Sequence, residues 1–284
     1  AGWVSEQVGG VSYLFFLRQL IEDVENDWPS VLEKLEAVRR TLINRNAMIG
    51  NVTLDEANWA QFRPKLAGFV DALPATPVDA ASWVPQPFSD AEGLTIPARV
   101  NYVAKGANLY KQGYQLLGSV SVITNYLATT WLWDRVRVQG GAYGGFCLFS
   151  RHSGLLTYLS YRDPNLLATI ENYDQTSRFL RDLRLSEDEL TKSIIGAIGR
   201  MDAYQLPDAK GYTSMARYLI GESDESRQRL RDQVLSTTPA DFRAFVEELH
   251  SVSDKGRVVV MGSQDAIETA NAAREGWLDV TRVL

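Results

Sequence analysis

Half of the prolines in this chain, five of ten, fall between Pro74 and Pro97, among Ala, Ser, Asp and Gln. Proline has no amide hydrogen and a fixed φ, so such a run ends helices and is excluded from central strands. The segment 74–97 therefore reads as an extended linker. It divides the 284 residues into a shorter part, 1–73, and a longer part, 98–284. Apolar residues make up 45% and charged residues 23%, enough for a packed core and too much apolar content for disorder. No apolar run reaches the roughly 20 residues of a membrane span. With 29 Lys and Arg against 35 Asp and Glu, and the basic residues scattered, the surface repels phosphate backbones, and no nucleic-acid partner is expected.

Periodicity sketches the elements on either side of the linker. Leu14, Leu17, Ile21 and Val24, then Val31, Leu35, Val38 and Leu42, step as amphipathic helices, the second entered through Pro29-Ser30. Asn46 to Leu54 reads as a short strand with Gly50 as a soft point. Trp59, Phe62, Leu66, Phe69 and Leu73 mark a further helix that Pro64 bends or restarts. Beyond the linker, Arg99 to Ala104 is extended, and a helix opens at Gly118-Ser119 and runs towards Arg137. Tyr143 to Phe149 and Leu155 to Tyr161 form a hairpin across Ser150 to Gly154. Asp163-Pro164 reads as the N-cap and first turn of the next helix, and Ser186-x-x-Glu189 as a capping box. Phe242 to Leu249, Arg257 to Met261 and Asp265 to Arg274 read as helix, strand and helix. Mixed order with hairpins defines an α+β class.

Histidine is the scarcest residue. His152 and His250 stand 98 positions apart and Cys147 is the single cysteine. A catalytic zinc usually takes three protein ligands, often two His one helical turn apart beside a Glu. Neither H-E-x-x-H nor H-x-x-E-H is present, so this chain is expected to bind no metal by itself. A single cysteine forms no internal disulfide, which fits a reducing compartment. The opening Ala1-Gly2-Trp3 carries no basic or apolar leader, so no targeting peptide is expected there and the chain reads as a mature or trimmed piece.

Chemistry is concentrated in Trp131 to Phe149, W-L-W-D-R-V-R-V-Q-G-G-A-Y-G-G-F-C-L-F. A helix ends on arginines, two glycine pairs bracket a tyrosine, and a strand begins. Gly140 and Gly141 permit a sharp turn, and Gly144 and Gly145 strip side-chain bulk from the strand beside Tyr143. A bare backbone next to Tyr and Arg donors suits an extended peptide and its carbonyl oxygens. The same glycines also serve a plain helix-to-strand turn, with Arg135 and Arg137 complementing the helix C-terminus. Cys147 and His152 are the pair from which a thiol nucleophile is built, but Cys147 lies among Phe146, Leu148 and Phe149 and reads as inert core. Trp59 and Trp131 sit on core stripes. Asp202, Tyr204, Asp208 and Lys210 either line a binding chamber or tie down a loop. Glu222 to Arg231 reads as a solvated helix start.

The stretch R-V-R-V-Q-G-G-A-Y-G-G-F-C, then H-S-G-L-L-T-Y-L-S-Y-R-D-P-N-L-L and D-A-Y-Q-L-P-D-A-K-G-Y, together with the opening A-G-W-V-S-E-Q-V-G-G-V-S-Y-L, resembles the presequence-protease (PreP) branch of the pitrilysin-like inverted-zincin metallopeptidases. The likeness runs over essentially the whole chain and is closest to plant and algal forms. It implies two halves of two α+β domains each, closing around a chamber. It also implies that Zn2+ and the catalytic glutamate lie in the N-terminal half, on the H-x-x-E-H motif missing here. By this resemblance residues 1–73 are the C-terminal portion of the third metallopeptidase-like domain and 98–284 the fourth. Arg137 and Tyr143 match the family's R-x-x-G-G-A-Y-G motif and would be catalytic, with Gly140, Gly141 and Gly144 binding substrate. The implied partners are the N-terminal catalytic half and short unstructured peptides such as cleaved presequences and transit peptides, in chloroplast stroma or mitochondrial matrix. The chain alone is expected to be inactive. A non-catalytic peptide-binding or scaffold subunit of the same fold is the alternative.

Overall fold

The computed structural model describes residues 2–79, 81–85 and 87–284. The chain divides into two compact units, one formed by 1–86 and 204–222, the other by 87–203 and 223–284. The sequence reading made residues 204–222 part of the C-terminal domain. They pack instead with the first unit, because their helix, Pro207–Leu219, seats Gly211 directly against Thr53 and Asn51.

The first unit is helical among its described residues. Its helices are Gly2–Gly9, Val11–Asn26, Trp28–Leu42 and Glu56–Asp71, followed by Pro207–Leu219. Asp27 caps the third of these by accepting from the Ser30 amide, with Pro29 in the first turn. The helix over Glu56–Asp71 runs unbroken through Pro64. Proline's φ is already helical, and the carbonyl it leaves unpaired, that of Ala60, lies at an exposed position open to solvent. The expected strand at 46–54 is not formed. Arg45–Ala47 is a single 3-10 turn, because the Asn44 side chain accepts from the amides of Asn46 and Thr76 and bends the chain locally. The apolar stripe over Trp28–Leu42 buries only Val31, and Leu35, Val38 and Leu42 are exposed. Trp59, read as core, is exposed as well.

The second unit is a six-stranded mixed sheet, ordered β3-β4-β2-β5-β1-β6. The strands are β1 (Ala91–Thr95), β2 (Tyr102–Asn108), β3 (Gly144–Ser150), β4 (Leu155–Tyr161), β5 (Arg257–Gly262) and β6 (Asp279–Arg282). β1 lies inside the stretch read as linker. It escapes the proline run because Pro87 precedes it and Pro97 follows it, and it pairs in parallel with both β5 and β6. The hairpin β3–β4 forms where expected, with Cys147 opposite Tyr158. Alternation along β2, β4 and β5 turns Val103, Ala107, Leu156, Tyr158, Val258 and Val260 into the core. Helices Ser119–Thr129, Leu167–Asp174, Val246–Lys255 and Gln264–Ala273 contribute Ile123, Leu127, Ile170, Tyr173, Leu249, Val252 and Ile267 to it.

Two capping expectations divide. Ser186 and Glu189 form a reciprocal capping box at the helix Glu187–Met201. Asp163-Pro164 does not cap: the next helix starts at Leu167, and Asp163 accepts instead from the Asn165 amide and the Thr169 hydroxyl, wholly buried.

An ion pair with a buried lysine crosses the packing of this unit. Lys105 on β2 lies 2.5 Å from Asp174 and donates to the Ser253 carbonyl at 2.6 Å, joining the strand to two helices. Removing Asp174 leaves a buried ammonium with one neutral acceptor. A fully buried pair broken this way costs roughly 3–5 kcal/mol. Asp174 is partly exposed, so Asp174→Ala should lower the unfolding free energy by about 2 kcal/mol. Urea denaturation reads this, and Lys105→Met combined with Asp174→Leu should recover most of the loss.

Candidate functional site

The helix Ser119–Thr129 ends at Thr130, and after one more turn the chain winds as a π-helix over Trp133–Gln139. Trp131 anchors this stretch by donating its indole N–H to the Asn172 carbonyl and stacking on Phe179. The wider i→i+5 winding, a form that recurs at functional sites, groups Trp133, Arg137 and Val138 on one side.

Closure into the strand depends on the two glycines that follow. Gly141 has φ +80°, and its amide donates to the Arg137 carbonyl while the Ala142 amide reaches Val136. The Gly140 carbonyl accepts from the Asn165 side chain at 2.6 Å. Tyr143 then hydrogen bonds through its amide to the Tyr161 carbonyl, and β3 begins. Gly145 is closely approached: a Cβ there would stand 3.1 Å from Val136 and 3.2 Å from the Leu132 carbonyl, tighter than most real contacts.

These turns leave an open depression of about 620 Å³ lined by Trp133, Arg137, Val138, Gly141 and Ala142, with Tyr143 and Arg162 completing it. Arg137 and Tyr143, thirdly Gly141, are thus brought together. Gly140 and Gly144 flank the depression in sequence without lining it, and the space above Gly144 is filled by the Phe146 ring. Arg137 lies over the Trp133 ring, 4.0 Å from its centroid. A cation held on an aromatic face gains about 0.5–1 kcal/mol when exposed. Tyr143 is 68% exposed and edge-on to Tyr161, which is edge-on to Tyr102. Among the described residues, the Tyr143 hydroxyl has no hydrogen-bond partner and Arg137 no carboxylate partner. The depression therefore presents donors and no acceptor charge, an arrangement suited to carbonyl oxygens and anions.

The other candidates are dispersed. Cys147 is buried in mid-strand and burial pushes its thiol far up, whereas His152 is exposed on the hairpin turn. Asp202 pairs with Arg231 in the second unit, while Tyr204, Asp208 and Lys210 belong to the first. Trp133, Val138, Ala142 and Arg162 are the lining residues the sequence did not single out. The i, i+4 spacing from Trp133 to Arg137 is the one signal that could have found Trp133. Among the described residues, no three His, Cys, Asp or Glu side chains stand together to hold a metal ion. Arg and Tyr donors are also unsuited to zinc, so the residues here do not fit a zinc site.

Solved structures share this α+β architecture. A protease from Helicobacter pylori superposes with a TM-score of 0.50 at 15% identity, over 74% of this chain and 53% of its own. The peptidase M16 inactive domain from Pseudomonas fluorescens does so with 0.50 at 17%, over 72% and 52%. The fold is thus that of an M16 peptidase domain.

Residues 91–264, five of the six strands and the whole depression included, match the family model of the PreP C-terminal domain, and the chain belongs to that family. Presequence protease 1, chloroplastic/mitochondrial, of Arabidopsis thaliana is 48% identical over all of this chain and 26% of its own length. Protein HypA of Clostridium perfringens is 28% identical over 94% and 27%. The chain spans about a quarter of the length of these curated relatives.

Two outcomes test this geometry. Gly141→Ala should cost about 1–2 kcal/mol in thermal or urea unfolding, the penalty of a side chain in the left-handed region. The nearest atom to the new Cβ, on Pro164, is at an ordinary 3.5 Å. Iodoacetamide at pH 8 should label Cys147 only after unfolding, since the buried thiol is both shielded and held protonated.

Proposed function

We propose that this chain is the C-terminal part of a zinc metalloendopeptidase that degrades cleaved presequences, transit peptides and other short unfolded peptides in chloroplast stroma or mitochondrial matrix. The observation that carries the reading is the meeting of Arg137 and Tyr143 as unengaged donors in one open depression, in a chain 48% identical to a presequence protease four times its length. Presequences and the two organelles are what that relative's name says of it; transit peptides, other short unfolded peptides, stroma and matrix are what the family resemblance implies. In this reading residues 98–284 are the fourth metallopeptidase-like domain and residues 1–73 the C-terminal portion of the third. The zinc and its ligands belong to the N-terminal catalytic half, which is the partner.

The role of this chain's residues follows from their chemistry. Tyr143 donates its hydroxyl hydrogen to the carbonyl oxygen of the scissile peptide and holds the negative charge that grows there. Arg137, oriented by Trp133, adds a second donor, this one cationic, to a neighbouring peptide oxygen. Gly141 lets the backbone turn close beneath them. Gly140 and Gly144 act at one remove: the first receives the Asn165 bond that fixes the turn, the second opens the strand on which Tyr143 is carried. Both donors come from the half without the zinc, so the site is complete only when the halves meet. Substrate enclosure and site assembly are then one event.

Cleavage of a quenched fluorescent presequence peptide tests this in three mixtures: this chain with zinc, the N-terminal half with zinc, and both together. Turnover is expected only in the third, and Tyr143→Phe should reduce it by about 10²-fold or more. A mixture no faster than the N-terminal half alone, with association demonstrated, would instead establish the non-catalytic scaffold subunit.

A further inference from the structure

The depression contains a second arginine with no assigned role. Arg162 follows the last residue of β4 and faces Tyr143 across the open end of the β3–β4 ladder, where Gly144 pairs with Tyr161. It has φ +49°, the single positive φ outside glycine among the described residues. Side chains rarely adopt that region, and residues held there cluster at binding sites because the surroundings must over-determine them.

The surroundings do so here. On one side Tyr161 is fixed in the strand and packed edge-on between Tyr102 and Tyr143. On the other, Asp163 exchanges two backbone hydrogen bonds with Asn101, at 2.7 and 2.8 Å, and its buried carboxylate accepts from Asn165 and Thr169. Arg162 is forced out between these two fixed points into the site.

Its electrostatics are as unusual as its backbone. No Asp or Glu lines the depression. Among the described residues neither Arg137 nor Arg162 pairs with a carboxylate, and each rests on an aromatic ring instead, Arg162 at 5.5 Å from the Tyr161 centroid. Two uncompensated cations thus share one open site on a chain of net charge −6. A guanidinium held over a ring rather than by a carboxylate keeps its N–H groups unspent, and a planar guanidinium can take a carboxylate in two parallel bonds.

We propose that Arg162 is a specificity-determining residue of this site, and that with Arg137 it binds a carboxylate of the bound peptide. This rests on the peptidase reading for the nature of the ligand, though the anion site itself does not. The carboxylate is either the peptide's C-terminus or an Asp or Glu side chain.

Titration calorimetry on the 284-residue chain separates these sources. Two matched peptide pairs are used, one differing as C-terminal acid against C-terminal amide, the other as internal Asp against internal Asn. At least one acid is expected to bind about 5- to 10-fold tighter than its neutral twin, and the pair that discriminates names the source. Arg162→Gln should bring that ratio close to one, and Arg162→Lys, which keeps the charge and loses the fork, should recover part of it. Arg162→Gly should lose the ratio while raising Tm, since glycine relieves the left-handed backbone; this also guards against misfolding of the Gln variant. Equal binding of acid and neutral peptides by the unmodified chain would overturn the proposal, as would a ratio that survives in Arg162→Gln. Failure of the peptidase reading looks different: turnover of the reconstituted protease indifferent to Tyr143→Phe, with the carboxylate preference of this chain intact.

Discussion

The geometry of the second unit hangs on the burial of Asp163. A carboxylate removed from water must find hydrogen bonds, and Asp163 finds them from Asn165 and Thr169. Its backbone bridges to Asn101 just before β2, so the end of the hairpin, the entry to the central strand and the approach to the next helix are joined at one residue. Asn165 carries the constraint onward by donating to the Gly140 carbonyl, which locks the turn between the π-helix and β3. Tyr143 and Arg162 are therefore positioned from the same buried point, one through the Gly140 turn and one by direct succession in the chain.

What results is a surface with donors and little to absorb them. Trp133 and the Tyr102–Tyr161–Tyr143 series supply aromatic faces that hold cations and hydroxyls in place without neutralising them. An ion pair would have spent the guanidinium of Arg137 internally, whereas a ring leaves its N–H edge available. That difference separates this depression from the structural ion pairs of the same unit, such as Lys105 with Asp174, where both charges are consumed by packing.

Much of the architecture was legible in the residue order. The β3–β4 hairpin, the capping box at Ser186 and the burial of Cys147 follow from local chemistry, and each stands in the structure. The departures share a cause. β1 was hidden inside a proline-rich stretch because prolines at its flanks look like prolines within it, and only parallel pairing to β5 and β6 reveals the difference. Asn46 to Leu54 carries strand-like residues, but the Asn44 side chain takes the amides a strand would need. Asp163 before Pro164 has the form of a helix cap, but its carboxylate is taken by the Asn165 amide and the Thr169 hydroxyl while its backbone is held by Asn101.

For the site the division is sharper. The sequence by itself determined the α+β class, the motif around Arg137 and Tyr143, and the scarcity of histidine. These are matters of residue type and short spacing, set by what each side chain can donate, ligate or tolerate in its backbone. Only the tertiary structure decided that Arg162 shares the depression with Tyr143, that Gly140 and Gly144 stand outside its lining, and that residues 204–222 join the first unit. Those outcomes depend on register across β3 and β4 and on packing between segments far apart in the chain. No local pattern encodes them, because their energy resides in contacts that exist only once the sheet has formed.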